Sequence, residues 1–183
     1  APSGSATQAG QFTLRTTTGT DNVTQITINL GPTGHTGLSL VEIKNNENTV
    51  TYGSTSTPLT ATTYVTLTTP IPVTTSATTV RIYITPKTHA DMPVPDGAAY
   101  SVTASTTGIT STNLSDGTDT AGTTITVDND SPANVTAATV SAGSLSNDLV
   151  WTNPADSDFD EVVVLRRDGS AVADTPTEGT SYA

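Results

Sequence analysis

Apolar and polar residues alternate along most of the first 130 positions of the chain, which is the pattern of half-buried β-strands. The clearest case is TTVRIYIT, in which Val80, Ile82 and Ile84 fall on one face. No window keeps the i, i+3, i+4, i+7 spacing of an amphipathic helix. The pattern predicts an all-β fold, with about seven short strands in this region forming an antiparallel β-sandwich. The other strand-like runs are QFTLRTTT, VTQITINL, GLSLVEIK, YVTLTT, AYSVTAS and TTITVD.

One run changes phase, and turn residues separate it from the others. GLSLVEIK carries Leu38 and Leu40 and then shifts to Val41 and Ile43, which predicts a β-bulge or burial on both faces. Glycine, proline and asparagine pairs are typical of turns. The predicted turns are Gly31-Pro32, Asn45-Asn46, Tyr52-Gly53, Pro70-Ile71-Pro72, the cluster from Pro93 to Gly97, and Asp116-Gly117.

The stretch TVDNDSPAN, from Thr126 to Asn134, predicts a domain boundary, because a strand gives way to an acidic turn and then to Ser131-Pro132. We therefore divide the chain into a flexible N-terminal tail (1–9), a β-sandwich (10–130) and a second β domain (131–183).

The second domain has a specific order of features. They are Pro132, the alternating run through Val135, Ala137 and Thr139, the strand Leu149-Val150-Trp151, the loop from Asn153 to Asp158, Phe159, a strand from Val162 to Arg167, and Gly179-Thr180-Ser181-Tyr182. This order resembles the first half of a fibronectin type III domain of bacterial or archaeal surface proteins. The resemblance implies that Trp151 packs between two sheets. Residues 10–130 are similar, by pattern alone, to immunoglobulin-like stalk modules. The expected fold is an immunoglobulin-like antiparallel β-sandwich plus an incomplete fibronectin type III-like half-sandwich.

The resemblance covers only part of the seven strands of that domain, so an apolar edge is expected beside the predicted strand Val162–Arg167. An open edge is a template for pairing with another strand. A neighbouring subunit could donate strands, further chain could complete the domain, or the half-domain could pack on residues 10–130. The candidate assembly residues are Val162, Val164 and Leu165. Phe12 and Leu14 join them, either on a donated N-terminal strand or on the first strand of their own domain.

Composition narrows the classes of partner. Threonine, which favours strands and tolerates water, occurs 42 times, while only 13% of residues are charged. The formal net charge of −11 argues against nucleic acid and anionic membranes as partners. The chain has no cysteine and no apolar run of membrane-spanning length. We expect an extracellular or cell-surface location.

No residue constellation predicts catalysis, so we expect that the protein is not an enzyme. There is no Gly-x-Ser-x-Gly motif, and His35 and His89 lie in turn-like sequence without a nearby metal-ligating partner. No cofactor is expected. The acidic stretches contain weak calcium candidates, Asp128 and Asp130 at the boundary and Asp156 and Asp158 in the following loop. The simpler interpretation is a polar linker and a solvated loop.

These observations favour a structural subunit of an extracellular filament or pilus-like appendage, assembled by β-strand complementation between subunits. Its partners would be copies of itself, with a separate helical pilin chain or a host-surface ligand as further candidates. The alternative is a stalk, spacer or adhesive binding module of a larger secreted or S-layer protein.

Overall fold

The computed structural model describes residues 4–56, 59–93, 100–113, 119, 122–156, 159–173 and 175. The chain divides into two compact units, Ala1–Ser131 (unit 1) and Pro132–Ala183 (unit 2). Two short 3-10 helices, Gly34–Gly37 and His89–Asp91, are the only helical elements in these ranges. None of the described segments forms a helix that is long and apolar enough to cross a membrane.

The remaining regular structure is strand, which confirms the all-β prediction. Unit 1 contains β1 to β9 and unit 2 contains β10 and β11. Their bounds are β1 Thr7–Leu14, β2 Asp21–Asn29, β3 Leu38–Asn45, β4 Thr51–Ser56, β5 Thr62–Val73, β6 Thr78–Pro86, β7 Tyr100–Thr103, β8 Ser105–Ser111, β9 Thr124–Val127, β10 Thr136–Ala142 and β11 Asn147–Thr152.

Seven strands of unit 1 form one antiparallel sheet in the order β1-β6-β3-β4-β5-β2-β8, and β7 pairs with β9 separately. The sheets are arranged as a sandwich or open barrel around one apolar core. The ladder between β4 and β5 has a single described register pair, Gly53 with Leu67, and the Thr55 and Thr68 hydroxyls donate to carbonyl oxygens across the two strands on either side of it. The largest fully buried side chains are Ile26, Ile28, Leu30, Leu38, Val41, Ile43, Val65, Ile71, Val80, Ile82, Ile84 and Val102.

The strands form because each has an alternating apolar face that is buried. In β6, Val80, Ile82 and Ile84 are buried while the residues between them are partly exposed. The predicted phase change in β3 is confirmed, since the β3–β6 register shifts between Leu38 and Leu40. β1 begins inside the predicted N-terminal tail, at Thr7.

Two predicted turns of unit 1 are wrong. Tyr52-Gly53 lies within β4, and Pro70-Ile71-Pro72 lies within β5. Ile71 and Pro72 pair with β2 after an irregularity in the ladder, while the described contacts of β4 with β5 lie farther back, between Tyr64 and Thr68. Proline is tolerated in a strand where one side needs no ladder hydrogen bond.

Unit 2 contains one described hairpin, β10 with β11. The predicted strand Val162–Arg167 is wrong, because residues 161–167 have no strand assignment. A strand requires a neighbour that hydrogen-bonds its backbone, and the described part of unit 2 provides none beside this segment. Gly179 to Tyr182 lie outside the described residues.

Candidate assembly surfaces

The hairpin of unit 2 carries an exposed apolar surface. Val140 and Leu149 are cross-strand partners in the β10–β11 register and are 68% and 47% exposed. Val150 on β11 and Leu145 in the hairpin loop are also exposed. No described residue of unit 2 is buried, so the unit lacks an apolar core within those residues.

A cleft of about 690 Å³ runs between this hairpin and the segment that follows β11. Val140 and Leu149 line it from the hairpin, and Val164, Leu165 and Val172 line it from the later segment. Apolar side chains that line a cleft become buried only when a further layer packs against them. We call the surface formed by these five residues the apolar cleft of unit 2.

Trp151 is half-buried, although the resemblance to fibronectin type III domains implies a core position. Its Nε1–H donates a hydrogen bond to Asn153 Oδ1 at 2.8 Å. The indole N–H therefore has a hydrogen-bond partner, while the ring is only half-buried among the described residues.

The predicted assembly residues lie in two different units. Phe12 and Leu14 are 7% and 6% exposed in the core of unit 1, where β1 pairs with β6. Val162 and Leu165 are half-buried in unit 2, and Val164 is 52% exposed. Phe12 and Leu14 thus occupy the first strand of their own domain, and β1 would have to leave its sheet to be donated.

Two clefts adjoin the last residues of β1 in unit 1. The first, of about 510 Å³, includes Leu14, Arg15 and Asp21 in its lining and is closed on another side by the end of β8. The second, of about 410 Å³, includes Phe12 and Thr13 with Thr79 and Asp119. The two clefts therefore lie beside Phe12, Thr13 and Leu14 at the end of β1.

Asp21 organises the first cleft. Its Oδ1 accepts hydrogen bonds from the backbone N–H of Asn22 and the hydroxyl of Thr112, both at 2.7 Å. The backbone and side-chain amides of Asn113 each lie 3.1 Å from the same oxygen. The Ser111 hydroxyl can donate to this carboxylate or to the Asn113 carbonyl oxygen at 2.6 Å. These donors, first the Ser111 and Thr112 hydroxyls, hold the pKa of Asp21 well below its ordinary value of 3.8.

The candidate calcium ligands at the domain boundary form local hydrogen bonds. Asp128 Oδ1 accepts the backbone N–H of Asp130 at 3.0 Å. Asn129 between them is buried, and its Oδ1 lies 2.9 Å from His89 Nδ1. These contacts join the end of unit 1 to the 3-10 helix after β6.

In the later acidic loop, Asp156 Oδ2 accepts the backbone N–H of Ala133 at 2.9 Å, and Asp158 lies outside the described residues. Within the part of the chain that the structure describes, no three His, Cys, Asp or Glu side chains are grouped as metal ligands.

Comparison of the chain with protein-family models, with curated proteins and with solved structures gives no match. The functional argument therefore rests on the geometry of the two units.

Sequence reasoning missed the clefts beside β1 and the Asp21 network. The contact between Asp21 and Thr112 joins residues 91 positions apart, and neither belongs to a motif that marks the pairing. The only local sequence feature related to the clefts is the alternation of apolar and polar residues that predicts β1 as a strand. The clefts follow from the sheet order, which leaves β1 at one end.

Proposed function

We propose that the protein is a structural subunit of an extracellular filament or pilus-like appendage, and that subunits join by β-strand complementation. The observation that supports this proposal is the apolar cleft of unit 2. A lone two-stranded hairpin is marginally stable in water, and further strands or a packed layer are needed for stability. A second copy of the chain is the partner that would supply that layer in a homopolymer.

Covering the cleft contributes favourable free energy to assembly. Burying a Val or Leu side chain contributes about 1.5–3 kcal/mol. Val140, Leu149 and Val164 are each about half exposed or more. Covering them would therefore yield part of that free energy for each side chain. An added strand would also satisfy backbone groups along the open edges of β10 and β11.

The test uses Trp151, which is the single tryptophan of the chain and reports on unit 2 alone. We expect sedimentation velocity to show concentration-dependent assemblies, and Trp151 emission to shift to the blue as they form, because covering the indole removes water from it. Val140→Asn should reduce assembly. Ser141→Asn is the matched control, because it changes an exposed neighbour on the opposite face of β10.

A chain that stays monomeric over the whole concentration range, with unchanged Trp151 emission, would contradict the proposal. That result would favour the alternative, a stalk, spacer or adhesive module whose second domain is completed by other segments of a longer protein. Equal assembly by Val140→Asn and the parent chain would show that assembly does not use the apolar cleft.

A further inference from the structure

Two basic residues lie directly opposite each other on the outer face of the sheet of unit 1. Lys44 of β3 and Arg81 of β6 are partners in the strand register, in a chain that has only six basic residues. Both are partly exposed and alternate with the buried core residues Ile43 and Ile82. Like charges in this position repel each other and destabilise a sheet. A bound anion would offset that repulsion.

Only one of these two cations has a carboxylate partner among the described residues. Lys44 Nζ lies 3.2 Å from Glu42 Oε2. Arg81 instead donates from Nη1 to Gln8 Oε1 and from Nη2 to Asn46 Oδ1, each at 3.1 Å. These two acceptors are neutral amide oxygens, so no described residue neutralises the charge of Arg81.

The guanidinium of Arg81 is held in place without being saturated. It has five N–H groups, and the two amides use one on each Nη, so one remains on each. The Nε–H is buried and has no acceptor among the described residues. A planar guanidinium that is held from β1 and from the end of β3 is preorganised to bind a carboxylate through its remaining Nη donors.

The most acidic segment of unit 2 lies directly before the apolar cleft of unit 2. Residues 156–161 contain four acidic side chains and no basic one. Asp160 and Glu161 are exposed, and neither forms an ion pair with a described residue. Glu161 comes three positions before Val164, which lines the cleft. A second copy that covers the cleft therefore lies close to Glu161, which favours a second copy over an unrelated acidic partner.

We infer that Arg81 of one copy binds the Glu161 carboxylate of a second copy, through the Nη donors that the two amides leave unused. Asp160 adds negative charge on one side of this contact, and Lys44 adds positive charge on the other. The inference rests on the proposed function and identifies a charged contact of that assembly.

Charge reversal tests the contact, with self-association measured by sedimentation velocity. Arg81→Glu and Glu161→Arg should each weaken self-association about tenfold, because each places like charges at the contact. An equimolar mixture of the two variants should associate about as tightly as the parent chain, since every contact between unlike copies again joins opposite charges. Added salt should weaken association of the parent more than that of either variant.

The matched controls are Lys87→Glu and Asp148→Arg, which make the same changes in net charge elsewhere. Lys87 follows the end of β6, and Asp148 is exposed on β11. Both controls should associate like the parent chain. Glu161 lies in an exposed segment without strand assignment, so Glu161→Arg tests the contact without disturbing a sheet. If Arg81→Glu does not fold by circular dichroism, Arg81→Gln takes its place.

Three results would overturn the inference. They are unchanged association of Glu161→Arg, weakening no greater than in the controls, and no recovery in the mixture. Variants that alter unfolding of the monomer at high dilution, with the effect cancelled when both changes are in one chain, would place the contact within one copy and also overturn it.

The outcomes separate this inference from the proposed function. Parent chains that assemble with no effect of either reversal would leave the filament proposal standing and remove Arg81 from its interface. Absence of any assembly of the parent chain would contradict both.

Discussion

Gly53→Ala should destabilise unit 1 through a steric clash between β4 and β5. A Cβ at position 53 would lie 2.5 Å from the carbonyl oxygen of Thr66 and 2.9 Å from the Cα of Leu67. Both are backbone atoms, so no side-chain rotation relieves the contact. β4 would have to move away from β5 and lose the single register pair between them.

The expected loss is about 2–3 kcal/mol in the free energy of unfolding. Overpacking of this kind costs about 1–3 kcal/mol. The lost pairing adds to that cost, while replacing glycine by alanine recovers about 0.4–1 kcal/mol through the unfolded state. For a unit of this size the loss corresponds to a fall in Tm of roughly 8 °C.

Urea unfolding followed by far-UV circular dichroism measures the effect, with Trp151 emission as a separate signal for unit 2. Gly108→Ala is the matched control. It also lies inside a strand, but its Cβ would meet only the side chain of Thr27, at 3.3 and 3.4 Å. We expect the control to stay within about 0.5 kcal/mol of the parent chain. Equal unfolding midpoints for Gly53→Ala and Gly108→Ala would refute the steric argument.

Three further substitutions test local features. Ala137 has a positive φ of 51°, a backbone conformation that is strained for alanine. Ala137→Gly should therefore stabilise unit 2 by about 1 kcal/mol, measured as a higher urea midpoint of Trp151 emission. A lower midpoint would show that this backbone conformation is not strained. Asn45 Oδ1 accepts hydrogen bonds from the backbone N–H groups of Thr49 and Val50 at 2.8 and 3.0 Å. Asn45→Ala should therefore lower the free energy of unfolding by about 1–2 kcal/mol, measured by urea unfolding with circular dichroism. An unchanged urea midpoint would refute this role of Asn45. Folding lowers the pKa of Asp21, so the ionised carboxylate stabilises the folded state above pH 3.8. This stabilisation is lost as the pH falls below that value and the carboxylate is protonated. Asp21→Asn should therefore be less stable than the parent at neutral pH and converge with it in acid, and a difference that is constant with pH would exclude this linkage.

Most strands of unit 1 could be predicted from local alternation. β6 is clear because Val80, Ile82 and Ile84 define one buried face without reference to the rest of the chain. β8 was missed, since Ser105–Ser111 is polar on both faces and carries one large apolar residue, Ile109. A strand of this kind is specified by its ladder with β2, which local pattern does not reveal.

The errors also have a physical cause in the position of partner strands. Gly53 and Pro72 are residue types that favour turns. In the sheet, however, Gly53 pairs with Leu67 of β5 and Pro72 pairs with Asn22 of β2, so both lie within strands. The segment Val162–Arg167 has the opposite property, a strong strand propensity without a described partner. Propensity indicates what a segment can form, and the neighbouring strand decides whether it does.

The candidate surfaces were only partly predictable. The open apolar character of unit 2 was expected from the resemblance and from the apolar run in Val162–Arg167. The clefts beside β1 were not predictable, because they depend on β1 being the terminal strand of a sheet whose order is set by contacts distant in sequence.

The most direct test of the account is negative-stain electron microscopy of the full chain at increasing concentration, with Val140→Asn prepared in parallel. The account predicts filaments of the parent chain and dispersed particles of the variant, because covering the apolar cleft of unit 2 drives assembly. Dispersed particles of the parent at every concentration would contradict it.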